Sequence, residues 1–251
     1  MFDEKNLKGD LAAMRLDPSG YVMIHSSMKS IGPVQGGADA VLNALMGYFE
    51  QGLVAMPALT WTLACEQAPV FDVLNTPGAT GLLPELFRKR LGVVRSWHPT
   101  HSVAAYGPHA AAFTADDHLN DTPCGRTSSW HKLLERHAVI LHIGCSLTSC
   151  TFLHGVEEWC GIEGRLGAPV RFKVIPPGGT PFIMDSRPHL GSPSEQFGKV
   201  EDILIVRGAL RFGRIGDAKV YILDAAGAFD IVSECLARDP CLFDAPISNR
   251  S

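Results

Sequence analysis

Residues Tyr21–Leu59 read "YVMIHSSMKSIGPVQGGADAVLNALMGYFEQGLVAMPAL". Tyr21 to His25 is a short apolar run entered from the turn signal "DPSG", the pattern of a buried strand. "GADAVLNALMGYFEQG" places apolar residues at helical spacing and stops at Gly52. "LVAMPAL" is a second buried strand. Strand, loop, helix and strand in that order predict a βαβ unit, with the loop "HSSMKSIGPVQGG" at the C-terminal end of the first strand.

The same alternation extends outward. "NLKGDLAAMRL" has helical periodicity before the first strand. "TGLLPELFRKR" and "SSWHKLLERH" are predicted helices, and "VVRSWHPTHSVAAYG" between them is predicted extended. "AVILHIG" is a third buried strand, and "CSLTSCTFLHGVEE" is a loop feeding a helix. From Arg171 the pattern changes: "RFKVIPPGGTPFIMD" predicts a hairpin around "PPGG". "DILIVRGALRFGRIGDAKVYILDA" reads as a helix or strand, a turn and a further strand, and "GAFDIVSECLARDP" as a closing helix. The prediction is an α/β fold with a β-rich insertion or subdomain in the second half. No repeat or linker divides residues 1–251, so one domain is expected, with a variable segment at about 160–200.

Composition excludes several function classes. Apolar residues make up 46% and charged residues 19% of 251, enough to build a core. The net charge of -4 gives no basic stripe for nucleic acid and no polybasic membrane patch. The charged N-terminus lacks a signal core, and no apolar run approaches a membrane span. A soluble, cytoplasmic protein is expected. The seven cysteines are odd in number and contain no CxxC pair, which speaks against a disulfide framework or structural zinc.

Four constellations carry candidate chemistry. The "HSSMKSIGPVQGG" loop offers hydroxyls, backbone N–H groups and one lysine before a helix, a cradle for an anionic ligand. A polar loop with a capping serine explains it equally, and neither a P-loop nor a GxGxxG is present. In "RSWHPTHSVAAYG", the proline between His98 and His101 breaks any helix, and HExxH is absent. These histidines are read as bonding backbone in a buried turn, with contact to a ligand left open. In "DTPCGRTSSWHKL", Thr127, Ser128 or Ser129 can cap a helix.

The fourth constellation is "TFLHGVEEWC", Thr151 to Cys160. His154 stands beyond the C-terminal end of a buried strand, where α/β folds gather ligands. It is open to reading as a general base or as a partly buried histidine at a helix start. Glu157 and Glu158, three and four residues on, can reach the same helix face. Glu66, Asp72 and Asp185 are more distant candidate partners. Cys145 and Cys150 flank the same loop, which keeps a Cys–His hydrolase in view. No GxSxG elbow occurs.

Together, "HSSMKSIGPVQGGADAVLNAL", "LVAMPALTW", "FDVLNTPGATGLLPELFR", "RSWHPTHSVAAYGP", "DTPCGRTSSWHKLLE" and "ILHIGCSLTSCTFLHGVEE" resemble, in order, the aminoglycoside 3-N-acetyltransferase family. The likeness is close from Val22 to Glu158 and looser to Phe243. It implies a three-layer α/β/α fold around a central mixed sheet. It implies acetyl-coenzyme A as co-substrate, no metal, and direct transfer to an amine of a cationic aminoglycoside, the 3-amino group, in a ternary complex.

The resemblance also implies residue roles. His154 matches the proposed family base, assisted by carboxylates for which Glu66 and Asp185 are the nearest matches. Ser26, Ser27, Lys29 and Ser30 match the coenzyme A loop, and Ser102, Thr127 and Ser128 lie in segments that approach the cofactor. Asp72, Glu157 and Glu158 are expected on the acceptor side, where negative charge attracts a polycation. The segment after Gly179 departs from the family pattern, with Arg187 and His189 where an acceptor site calls for acids. An amine of another natural product is the alternative acceptor. The oligomeric state is not legible.

Overall fold

A computed structural model describes residues 1–245; residues 246–251, at the end of the expected domain, lie outside the described residues. Helix α1 (Glu4–Ala13) is opened by a capping box between Asp3 and Asn6. Strand β1 (Tyr21–Ser26), helix α2 (Gly37–Tyr48) and strand β2 (Leu53–Pro57) form the βαβ unit that the sequence predicts, with β1 and β2 parallel.

Strand β3 (Val70–Asp72) and helix α3 (Leu82–Phe87) follow. The predicted extended segment is two short strands, β4 (Val94–Arg95) and β5 (Val103–Tyr106), paired antiparallel around the "HPTH" turn. Helices α4 (Ala110–Thr114) and α5 (Ser129–Glu135) lead to strand β6 (Val139–Ile143), parallel to β1. Helix α6 (Thr151–Trp159) precedes the hairpin of β7 (Val170–Ile175) and β8 (Phe182–Ser186).

The ambiguous segment resolves as helix α7 (Glu201–Val206) followed by the antiparallel pair β9 (Leu210–Ile215) and β10 (Ala218–Asp224). Helix α8 (Ala225–Arg238) closes the chain, capped by Asp224.

Seven strands form one mixed sheet in the order β4-β5-β2-β1-β6-β10-β9. Strand alternation sorts its side chains onto two faces. Val22, Ile24, Leu141 and Ile143 join a core with α1, α2 and α3. Met23 and Ile140 join the opposite core, with α5, α6 and α8. This is the three-layer α/β/α arrangement.

A second sheet has the order β3-β7-β8 and its own small core of Phe71, Val73, Phe172, Val174 and Met184. The β-rich unit is therefore not confined to the second half, because β3 comes from the first. Among the described residues no helix is long and apolar enough to cross a membrane.

Candidate active site

A cavity of about 920 Å³ opens at the C-terminal ends of β1 and β6. The chain leaves β1 toward β2 on one side, and β6 lies on the other. This is the crevice where open α/β sheets place ligands. His25 and Ser26 line its floor, and Cys145 and residues 148–151 contribute one wall. The segments around Trp61, His101 and His189 close it.

His154 projects into this cavity from the first turns of α6. That helix buries Phe152, Leu153, Val156 and Trp159, which leaves His154 at its edge with a side chain 16% exposed. Gly155 permits the packing behind it: a Cβ there would fall 2.7 Å from the Trp159 ring and 3.2 Å from Cys124 Cβ. His154 Nδ1 faces Glu157 Oε2 at 3.5 Å, within ion-pair range but longer than a hydrogen bond. That carboxylate is 1% exposed and its Oε2 has no other partner. Arg165 Nε holds the other oxygen at 2.5 Å, and Arg165 Nη2 meets Asp244 at 2.7 Å.

Burial lowers the His154 pKa, opposed by Glu157, and a nearby His189 lowers it further. A neutral imidazole, with a carboxylate on its Nδ1 side and its ring in a cavity, is the arrangement of a general base.

In the "HPTH" turn the backbone bonding expected of both histidines is present at His98, whereas the His101 ring contacts a hydroxyl. The backbone N–H groups of Thr100 and His101 donate to His98 Nδ1, at 3.3 and 3.0 Å. Desolvation lowers the His98 pKa to about 3. Thr100 Oγ1 contacts His101 Nδ1 at 2.9 Å, and Trp130 Nε1 donates to the His101 carbonyl at 3.0 Å. His101 nevertheless lines the cavity, so ligand contact is retained for one of the two histidines.

The serine loop sits against β6. Gly144 has φ +67°, and a Cβ on it would lie 2.2 Å from Ser30 Cβ, so only glycine lets the loop approach so closely. Ser30 Oγ lies 3.0 Å from Ser27 Oγ and 3.2 Å from the Gly144 carbonyl. Ser26 is the loop residue that lines the cavity, and its buried Oγ has no protein partner. Lys29 is exposed on the same loop.

Several expected site residues lie elsewhere. Ser102 is buried, donates to the Ala58 carbonyl and accepts from Arg95 Nε. Ser128 caps α5 and Thr127 binds Asn120, so both serve the local fold, outside the cavity lining. Asp72 accepts from the Leu74 and Asn75 backbone and from Asn75 Nδ2, the bonding of a turn carboxylate.

Asp185 does not orient His154. Residues 184 and 186 of β8 point inward, so Asp185 points out, where Arg171 takes both its oxygens at 2.9 and 3.1 Å. Glu66 is exposed at the cavity wall and makes no ion pair with His154. Glu157 and Glu158, expected on the acceptor side, are turned inward instead. Glu157 backs His154, and Glu158 meets His189 Nε2 and accepts from the Cys124 N–H at 3.0 Å.

His25, His101, His189 and Trp61 complete the lining. In the sequence His189 stands out only as a departure from the family pattern.

Among the described residues one trio, Cys124, Glu158 and His189, has ligating atoms within 4.8 Å of one another. Glu158 is already hydrogen-bonded, and burial holds the Cys124 thiol pKa well up, which makes this a hydrogen-bonded cluster. The two thiols of the loop that precedes α6 are equally poor nucleophiles. Desolvation pushes Cys145 up to about 11 and Cys150 up to about 12. A Cys–His hydrolase needs a thiolate, so this geometry disfavours one.

Fold and cavity together define a three-layer α/β protein with a carboxylate-backed imidazole lining a cavity at the switch point of its sheet. Residues 23–237 match the family model described as aminoglycoside 3-N-acetyltransferase, and the chain belongs to that family. It is 32% identical over 181 residues to aminoglycoside N(3)-acetyltransferase VII of Streptomyces paromomycinus, covering 63% of this chain and 61% of that protein. It is 26% identical to the SPbeta prophage-derived aminoglycoside N(3')-acetyltransferase-like protein YokD of Bacillus subtilis (strain 168), covering 92% and 91%. Among solved structures it resembles AAC-IIIb in its binary complex with CoASH, at 26% identity and a TM-score of 0.81, covering 94% and 97%.

Proposed function

We propose that the protein transfers the acetyl group of acetyl-coenzyme A to an amine of an aminoglycoside, the 3-amino group, directly within a ternary complex. The observation that carries this reading is His154: a partly buried imidazole with a lowered pKa, backed by Glu157 and lining a cavity of about 920 Å³. A thioester is already activated, so the chain need only bind both partners, remove a proton from the amine and stabilise the developing oxyanion. His154 is the base and Glu157 the carboxylate that orients it. Ser26 contacts the acyl end of the cofactor, with Ser27, Lys29 and Ser30 along its arm. No covalent acyl-enzyme is required, in keeping with thiols held protonated.

One observation favours a second acceptor. Among the described residues Glu66 is the one carboxylate in the cavity lining, which also carries Leu59, Trp61 and Phe172. A lining so poor in acid suits a less charged natural-product amine.

Release of free thiol from acetyl-coenzyme A, read across a panel of aminoglycosides and simpler amines with an amine-free control, tests both. Thiol release matched by an acetylated 3-amino product supports the first reading. Release only with monoamines supports the second. Equal release without amine would overturn acetyl transfer in favour of a thioesterase.

A further inference from the structure

The base has a neighbour of its own kind. His189, in the loop after β8, stacks on His154 with ring centroids 4.7 Å apart and planes at 25°. The two imidazoles are served by consecutive carboxylates of α6. Glu157 faces His154 Nδ1 at 3.5 Å, and Glu158 faces His189 Nε2 at 2.5 Å.

His189 is 13% exposed and Glu158 4%, so this second pair is nearly as enclosed as the first. The loop that carries His189 is fixed by backbone bonds on both sides of it. Arg187 N–H donates to the Asp121 carbonyl at 2.8 Å, Gly167 N–H to the Pro188 carbonyl at 2.8 Å, and Leu190 N–H to the Arg165 carbonyl at 2.9 Å. His101 meets the His189 ring edge-on at 5.0 Å, and Phe197 meets His154 at 4.8 Å. His154 is thus clamped between an aromatic edge and a second imidazole.

We propose that His189, held by Glu158, is a positioning residue for His154: it fixes the plane of that ring and keeps it neutral, ready to take a proton from the attacking amine. The inference rests on the general-base reading of His154. Two imidazoles in face contact repel when both are protonated. The carboxylate 2.5 Å from His189 Nε2 engages that ring alone, and His154 Nδ1 is left to Glu157. The charges acting on His154 come from every element around it. Glu157 and Glu158 on its own helix favour its cation, and His189 opposes it. Arg165 engages Glu157 from behind, and His101 packs on the far side of His189.

The test is His189→Gln in the full chain, read in two ways. One is the pH profile of kcat/KM for acetyl transfer. The other is an NMR titration of the His154 imidazole without either substrate. The expected result is that both midpoints rise together by about one unit, so that kcat/KM falls about tenfold on the acid side and recovers toward high pH. A purely structural role would lower kcat/KM evenly and leave the His154 titration in place, and that outcome overturns the proposal.

If Glu158, left alone, prevents folding, the double variant His189→Gln/Glu158→Gln removes both charges. Its His154 midpoint is expected to rise less but still to rise, and an unchanged midpoint overturns the proposal. Should the parent protein acetylate no amine, the proposed function fails, and the NMR arm still decides whether His189 sets the state of His154.

Discussion

The two sheets of this protein contribute to the cavity in different ways. The seven-stranded sheet grows from strands and helices that follow one another in sequence, and it presents His25, Ser26 and, through α6, His154. The three-stranded sheet joins β3 to a hairpin from far along the chain and rests on a core of few side chains. It supplies the opposite wall, with Phe172, Glu66 just before β3 and His189 just after β8. The large sheet holds His154, the proposed base, on the helix that follows β6. The small sheet shapes what that group meets. His189 is where the two meet, because it belongs to the wall and stacks on His154.

The sharpest way to break this division is at His154. His154→Gln is expected to lower kcat/KM for acetyl transfer by about 10²–10⁴-fold, the usual value of a positioned base. Coenzyme A binding, measured by calorimetry, is expected to survive, because the serine loop belongs to β1. Normal turnover in that variant would move the chemistry away from the large sheet. The next largest effect is expected in the small sheet. Phe172 is 2% exposed in its separate core, and Phe172→Ala is expected to cost about 3–5 kcal/mol of local stability. Hydrogen exchange would show β3, β7 and β8 losing protection while β1, β2 and β6 keep theirs. Equal loss in both sheets would show that they unfold as one unit.

The same division explains what could be read from the sequence. The βαβ unit around Tyr21–Leu59, the buried strand at Val139–Ile143 and the hairpin about "PPGG" are local patterns, and they are present as predicted. The turn bonding of His98 was also legible, because "HPTH" cannot continue a helix. The pairing of β3 with β7 was not, since a three-residue strand carries almost no periodicity. The carboxylate behind His154 was not legible in the sequence for a related reason. Glu157 is adjacent in sequence, but its burial depends on Arg165 and Asp244, which only tertiary structure brings to it. Asp185 was placed by its position after the hairpin, and the pleat of β8 turned it outward.

Acid sensitivity gives a smaller effect, located in the large sheet. His25 and His142 stack at 4.8 Å on neighbouring strands, and both nitrogens of His142 are buried without partners. Burial lowers the His25 pKa to about 4 and sets His142 well below its ordinary value. A histidine with a depressed native pKa takes up its proton more readily in the unfolded chain. Its contribution is therefore complete above about pH 6.5 and is lost as the pH falls toward the native value. Each such residue adds about 1.4 kcal/mol of destabilisation per pH unit in that window. Denaturant titrations between pH 6 and 5 are expected to show His142→Leu with a slope shallower by about that amount. An unchanged slope would place the acid-sensitive groups outside this stack.

The smallest effect is expected at Asp185, and it is informative because the family resemblance suggested the opposite. Asp185 and Arg171 form an exposed pair on the outer face of the small sheet, and such pairs contribute little to stability. Its pKa is lowered, chiefly by the hydrogen bond from Arg171, which ties the carboxylate to β7 and away from the cavity. Asp185→Asn is therefore expected to leave kcat/KM within about twofold of the parent at every pH, with no shift in the acid limb. A larger fall confined to low pH would mean that β8 turns this carboxylate inward when the acceptor binds. The small sheet would then supply a second carboxylate to the base, and the division between a catalytic frame and a selective wall would have to be abandoned.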